Sequence, residues 1–242
     1  MNVAEFARGI AFADIHPDTD LATRPDWAAL TDLGRLNREI DNTLLPDSGD
    51  ELRQRLAPVM RMARMSTFAV AALINHAVAA LPEGEAYVNV GVWHGFTLLA
   101  GMAGQPHTRC VGIDDFSQFG GPRERFLERF DAQRGPAHSF HDGDYRDYFR
   151  HRHVGPIGLY LYDGAHSYEH QMAGLRAAER FFAPECYVLV DDVNWAAPRR
   201  AALDFIAAST RHYDVVLDRS TAHNKHPTFW NGLMLLRSSA RE

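Results

Sequence analysis

At 242 residues, with 46% hydrophobic and 23% charged residues, the chain has the proportions of one large α/β domain with an appendage, which excludes disordered, fibrous and repetitive classes. A net charge of −6 argues against a broad nucleic-acid or anionic-membrane surface, and no apolar run reaches the roughly eighteen residues that a membrane span needs. The N-terminal stretch MNVAEFARGIAFAD carries Glu5, Arg8 and Asp14 and lacks a secretory apolar core, so a cytoplasmic location is expected.

In chain order, residues 1–82 read as helical. Trp27, Leu30, Leu33, Leu36 and Ile40 recur at helical spacing, and further helices are expected over Asp50–Arg64 and Ser66–Leu81. The stretch FAVAALINHAVAAL, Phe68–Leu81, reads as a buried helix, and the whole segment as a cap or dimerisation element. Residues 83–242 read as a second unit in which β-branched runs alternate with amphipathic stretches, the pattern of a doubly wound sheet. Its expected strands are Ala86–Gly91, Thr108–Asp114, Ala137–Gly143, Ile157–Asp163 and Cys186–Asp192, followed by YDVVLD and TFWNGLMLL. Helices are expected over Phe96–Ala103, Pro122–Gln133, Tyr168–Phe182 and Ala197–Thr210; the second opens on a favoured first-turn proline and sets Phe126 and Phe130 on one face. Cys110 and Cys186 each open an apolar run and read as reduced core thiols. The one basic cluster, RHRH at Arg150–His153, reads as a solvated turn.

Ligands of an open α/β sheet bind outside the carboxyl ends of its strands. Those ends hold Gly91, Asp114, Asp144 just past the third strand, Asp163, Asp191 and Asp192. The first turn, VNVGVWHGFT, spaces Gly91 and Gly95 so that a ligand can approach the backbone, but it is not the tighter glycine pattern that cradles a pyrophosphate. That weighs against NAD and leaves room for S-adenosylmethionine. Asp114 stands where a carboxylate accepts the hydroxyls of an adenosine ribose. Asp144 is placed either to accept from an adenine amino group or merely to shape a turn. Asp163, Asp191 and Asp192 would converge at two neighbouring strand ends; like charges so packed repel unless a cation sits among them, and hard oxygen donors suit Mg²⁺, Mn²⁺ or Ca²⁺. The competing structural roles are a helix cap for Asp192 and an ion pair of Asp191 with Arg199 or Arg200. His166, three residues past Asp163, has the titration range of a general base, though a lone histidine is also a common structural residue.

The stretches VNVGVWHGFT, VGIDDF, DGAHSYE and YVLVDDVNW resemble the class I S-adenosylmethionine-dependent methyltransferases, and within them the metal-dependent macrocin and mycinamicin type of sugar O-methyltransferase. The resemblance covers roughly Ala86 to Trp195. It implies a Rossmann-like seven-stranded sheet whose last strand is antiparallel, a magnesium or manganese ion on Asp163, Asp191 and Asp192, and His166 as the base on the acceptor hydroxyl. It places the cofactor on Asn89, Gly91, Val92, Gly95 and Thr97 of the first turn, on Asp114 and Asp115, on Gly143, Asp144 and Tyr145, and on Asp163. Asn89 stands where relatives often carry an acid. Proteins of that type often oligomerise through such N-terminal helices, so the resemblance implies a homodimer or higher homo-oligomer.

The implied reaction is methyl transfer to a hydroxyl of a sugar, with a catechol as the alternative acceptor. Trp195 and the loop residues His223, Asn224, His226 and Trp230 offer donors and an aromatic plane for it. A nicotinamide oxidoreductase would share Asp114 but needs the missing glycine pattern; a metal-dependent hydrolase could use the same acids without a nucleotide. A non-catalytic binding module would find little use for the converging acids.

Overall fold

A computed structural model describes residues 1–14, 40–47 and 49–240 of the chain. Trp27, Leu30, Leu33 and Leu36, on which the first expected helix rests, lie outside the described residues. The expected second and third helices form: α2 (Asp50–Met60) and α3 (Phe68–Ala79) follow a short α1 (Val3–Gly9) and an antiparallel pair of short strands, β1 (Ala11–Phe12) and β2 (Thr43–Leu44). The sequence reading lacked α1, which starts on a capping box between Asn2 and Glu5.

The remainder alternates β3 (Ala86–Val90), α4 (Phe96–Met102), β4 (Arg109–Asp114), α5 (Arg123–Gln133), β5 (His138–Asp142), α6 (Tyr145–His151), β6 (Ile157–Tyr162), α7 (Tyr168–Glu179), β7 (Phe182–Asp191), α8 (Ala196–Ala208), β8 (His212–Arg219) and β9 (Leu233–Ser239). The seven-stranded sheet runs β5-β4-β3-β6-β7-β9-β8, parallel except for β9, which is antiparallel to both neighbours. Every residue of β3 and β6 is buried, as expected of central strands covered on both faces. One apolar cluster gathers α1 to α5 on one face; a second gathers α6, α7 and α8 on the other. Residues of α1 to α3 thus share a core with α4. Asn75, buried within α3, donates to the carbonyls of Ala100 and Ala103 and accepts from Arg55.

Three expectations shift. The strand expected from Cys186 begins at Phe182, taking in Pro184, and the helix before it stops at Glu179. The strand expected from Thr228 begins at Leu233, because Trp230 and Gly232 adopt positive φ and close a turn first. The RHRH cluster ends α6 rather than forming a free turn. Only its first three residues are exposed; His153 is buried between the Tyr148 hydroxyl and the Gly155 carbonyl, and burial pushes its imidazole down to about 4. Both cysteines are free and buried, and burial raises the Cys110 thiol to about 12.

Candidate active site

Strand order reverses between β3 and β6, and at that switch point the loops diverge and open a crevice. The register decides what meets there. Val90 pairs with Ile113 on one side and Tyr162 on the other, and Tyr162 pairs with Val190. One step further along each strand, Asp114, Gly91, Asp163 and Asp191 therefore fall into a single row. A cavity of about 720 Å³ lies over it, within the range that small-molecule sites occupy.

Gly91 sits at φ +82°, and a Cβ there would lie 1.9 Å from the carbonyl oxygen of Asp163. No side chain fits, and the gap between the two central strands stays narrow. Beside it, the Asp114 carboxylate accepts from the backbone N–H of Val92 and Trp93, both at 2.8 Å, and of Phe116 at 2.7 Å. The turn is thus tied to the end of β4, with one lone pair of Oδ1 still left on the carboxylate for a ligand hydroxyl. Asn89 is fully buried beneath the turn, accepts from the Thr97 hydroxyl at 2.7 Å and donates to the carbonyls of Val90 and Gly91 at 3.3 Å, so it meets the cavity only through residues that line it.

The other half of the row is acidic. Burial, and then the charges of Asp191, Asp192 and Asp114, hold the Asp163 carboxyl well above the usual carboxylate range. Asp191 is raised in the same way by burial and by Asp192. Asp192 is raised by burial, against the pull of His166 and of a hydrogen bond from Asn231. The competing roles considered for these acids fall elsewhere: Arg199 forms a two-pronged pair with Asp218, Arg200 pairs with Asp204, and the N-cap of α8 is Trp195. Asp192 instead meets His166 Nε2 at 3.0 Å through Oδ2 and the Asn231 amide at 2.7 Å through Oδ1. Burial holds the His166 imidazole below its ordinary value, with Asp192 opposing, and its ring stands edge-on to Trp195. Its Nδ1 is buried with no hydrogen-bond partner among the described residues.

Residues 88–193 match the sequence model of a methyltransferase domain. No curated protein matches the chain by sequence. Among solved structures, a protein from Klebsiella pneumoniae assigned as an O-methyltransferase is similar at a TM-score of 0.58 and 13% identity, over 80% of this chain and 91% of that one. The O-methyltransferase TomG of Streptomyces achromogenes, involved in tomaymycin synthesis and solved with S-adenosylmethionine, is similar at 0.55 and 14%, over 80% and 91%. The fold is the Rossmann-like one of the methyltransferases, as the sequence implied.

Of the residues singled out from sequence, Gly91, Val92, Thr97, Asp114, Asp115, Gly143, Asp144, Tyr145, Asp163, His166, Asp191, Asp192, Trp195, Asn224 and Trp230 line this one cavity. Asn89, Gly95, His223 and His226 do not. Gly95, at φ +94°, packs against Phe126 and starts α4. His223 and His226 shape the β8–β9 loop: His226 pairs its backbone with Trp230 and its ring with Thr228, and His223 turns onto the Asn224 carbonyl. Asp144 caps α6 by accepting from the Arg146 N–H at 2.6 Å, the turn role weighed for it, while still facing the cavity.

Sequence reasoning missed Arg64, Met65 and Ser66, which reach the cavity from the link between α2 and α3, the aromatic loop Phe116–Phe119, and Asn231. Asn231 alone carried a signal, as a polar residue directly after Trp230, where the loop marked for function ends.

The acids suit a hard divalent cation in charge and donor type: three carboxylates line one cavity, and no cationic side chain among the described residues pairs with Asp163 or Asp191. As they stand, no three His, Cys, Asp or Glu side chains among the described residues form a metal-holding group. No described helix is long and apolar enough to cross a membrane.

Proposed function

We propose that the chain is an S-adenosylmethionine-dependent O-methyltransferase acting on a hydroxyl of a small molecule, with a sugar or saccharide-containing compound as the acceptor. The observation that carries the reading is the single cavity at the strand switch point, which holds a glycine turn and ribose-type carboxylate at one end and a histidine–carboxylate pair at the other. The methyltransferase-domain match over residues 88–193 and the likeness to TomG support it. Trp195 and Trp230, with Asn224 beside them, supply the aromatic and amide surface that suits a sugar ring.

In the proposed reaction the acceptor oxygen attacks the methyl carbon of the sulfonium in line. The carbon–sulfur bond breaks with its electron pair kept on sulfur, and S-adenosylhomocysteine leaves as a neutral thioether. With His166 Nε2 on Asp192, the acceptor proton goes to Nδ1, the buried nitrogen that has no hydrogen-bond partner among the described residues. Burial keeps that imidazole neutral near pH 7 and able to take a proton. The row of strand ends fixes donor and acceptor side by side, which lowers the entropic part of the barrier. Asp163, Asp191 and Asp192 would hold Mg²⁺ or Mn²⁺, which, when bound, lowers the pKa of a chelated hydroxyl.

The test is methyl transfer from labelled S-adenosylmethionine to a panel of sugars and catechols, with Mg²⁺ and with chelator. Labelled sugar product that chelator abolishes is the expected result. Transfer unaffected by chelator removes the metal from the proposal, and product from catechols alone removes the sugar.

A further inference from the structure

We propose that Asn231 is a positioning residue of this site, acting through Asp192 to aim His166; the inference rests on the methyl-transfer reading above. Asn231 lies in the turn between β8 and β9 and is only 8% exposed. Its Oδ1 accepts from the Lys225 backbone N–H at 2.8 Å, and its own carbonyl accepts from the Asn194 N–H at 2.8 Å. A backbone N–H can only donate, so the Asn231 oxygen must face Lys225. The Asn231 NH₂ must then face Asp192, so the hydrogen-bond network decides the amide's orientation.

That amide meets Asp192 Oδ1 at 2.7 Å, and Asp192 needs the hold. It is a non-glycine residue at φ +59°, a conformation that persists only where surroundings over-determine it. The Asp192 carbonyl accepts from the Trp195 N–H at 2.9 Å, which fixes the backbone, and Asn231 fixes the side chain. With Oδ1 occupied, Oδ2 is the oxygen presented to His166 Nε2 at 3.0 Å. A proton on Nε2 then satisfies the carboxylate and leaves Nδ1 as the basic nitrogen, so Asn231 sets the tautomer two residues removed from itself in the hydrogen-bond chain. The second lone pair of Oδ1 remains for a cation, since ligating carboxylates are themselves commonly hydrogen-bonded from behind.

The experiment compares wild type with Asn231→Leu, which removes the amide, and Asn231→Asp, which keeps its shape but replaces the donor with an acceptor. Imidazole ¹⁵N spectra are recorded in chelator, with the His166 signals identified by their loss in His166→Gln, alongside calorimetric binding of S-adenosylhomocysteine and thermal melting. The expected result is an Nε2-protonated His166 in wild type and mixed tautomers in both Asn231 variants, with S-adenosylhomocysteine binding retained. Unchanged His166 signals in both variants overturn the inference. So does joint loss of cofactor binding and of melting temperature, which marks a merely structural residue. If wild type itself fails to bind S-adenosylhomocysteine, the methyl-transfer reading falls, whatever the tautomer shows.

Discussion

The two ends of the cavity hold carboxylates in opposite circumstances. At the β3–β4 end, Asp114 accepts three backbone N–H groups and is satisfied before any ligand arrives. At the β6–β7 end, Asp163, Asp191 and Asp192 line the same cavity with burial raising all three, and among the described residues only Asp192 has side-chain partners, Asn231 and His166. The first arrangement builds a rigid shape; the second stores repulsion that a cation, a proton or a positively charged ligand relieves. A binding half and a reacting half differ, on this account, in whether the fold itself neutralises the acid.

The contrast is broken most severely at Gly91. Gly91→Ala drives a Cβ into the Asp163 carbonyl at a positive φ, where no flexible atom can yield. The expected cost is about 3 kcal/mol or more by denaturant unfolding, together with loss of S-adenosylhomocysteine binding. Next in size are His166→Ala and Asp192→Asn in the reacting half. Turnover with the best acceptor of the panel should fall on the order of 10²- to 10⁴-fold, the usual worth of a general base, while calorimetric affinity for S-adenosylhomocysteine holds.

A smaller effect separates the halves by stability rather than rate. The folded-state pKa of Asp163 is raised, so between the unfolded value near about 3.9 and that raised value the folded protein binds the extra proton, and stability falls as pH rises through the window. Asp163→Asn removes this cost. In chelator at pH 8 the variant should melt above wild type, by about 2–4 °C for each kcal/mol relieved, and the gap should close as pH drops. A variant that melts below wild type throughout would show Asp163 to be a stabilising residue. The smallest effect lies outside the cavity. Arg199 and Asp218 are paired and about a third exposed, at 35% and 31%, so Arg199→Ala should cost less than about 1 kcal/mol and leave cofactor binding untouched.

How much of this could be read in advance follows the range of the signals. The row of strand ends was legible because it depends on short apolar runs ending in Gly or Asp, and parallel register then sets those ends side by side. The helix α6 was not: Tyr145, Tyr148 and Phe149 share one buried face at helical spacing, but seven residues give too few turns for that period to stand out, and the Asp144 cap marks only its start. Pro184 hid the start of β7, and the positive φ of Trp230 hid the turn that delays β9. The link between Asn231 and Asp192 joins residues far apart in the chain through a turn, and turn residues carry no periodicity to betray a partner. His223 and His226 illustrate the reverse: their chemistry drew attention, but their rings serve the loop.

Calorimetric titration of S-adenosylhomocysteine into wild type, Asp114→Ala and His166→Ala tests the division most directly. The account predicts binding by wild type, binding by His166→Ala, and loss by Asp114→Ala. No heat with wild type, or equal loss in both variants, would contradict it.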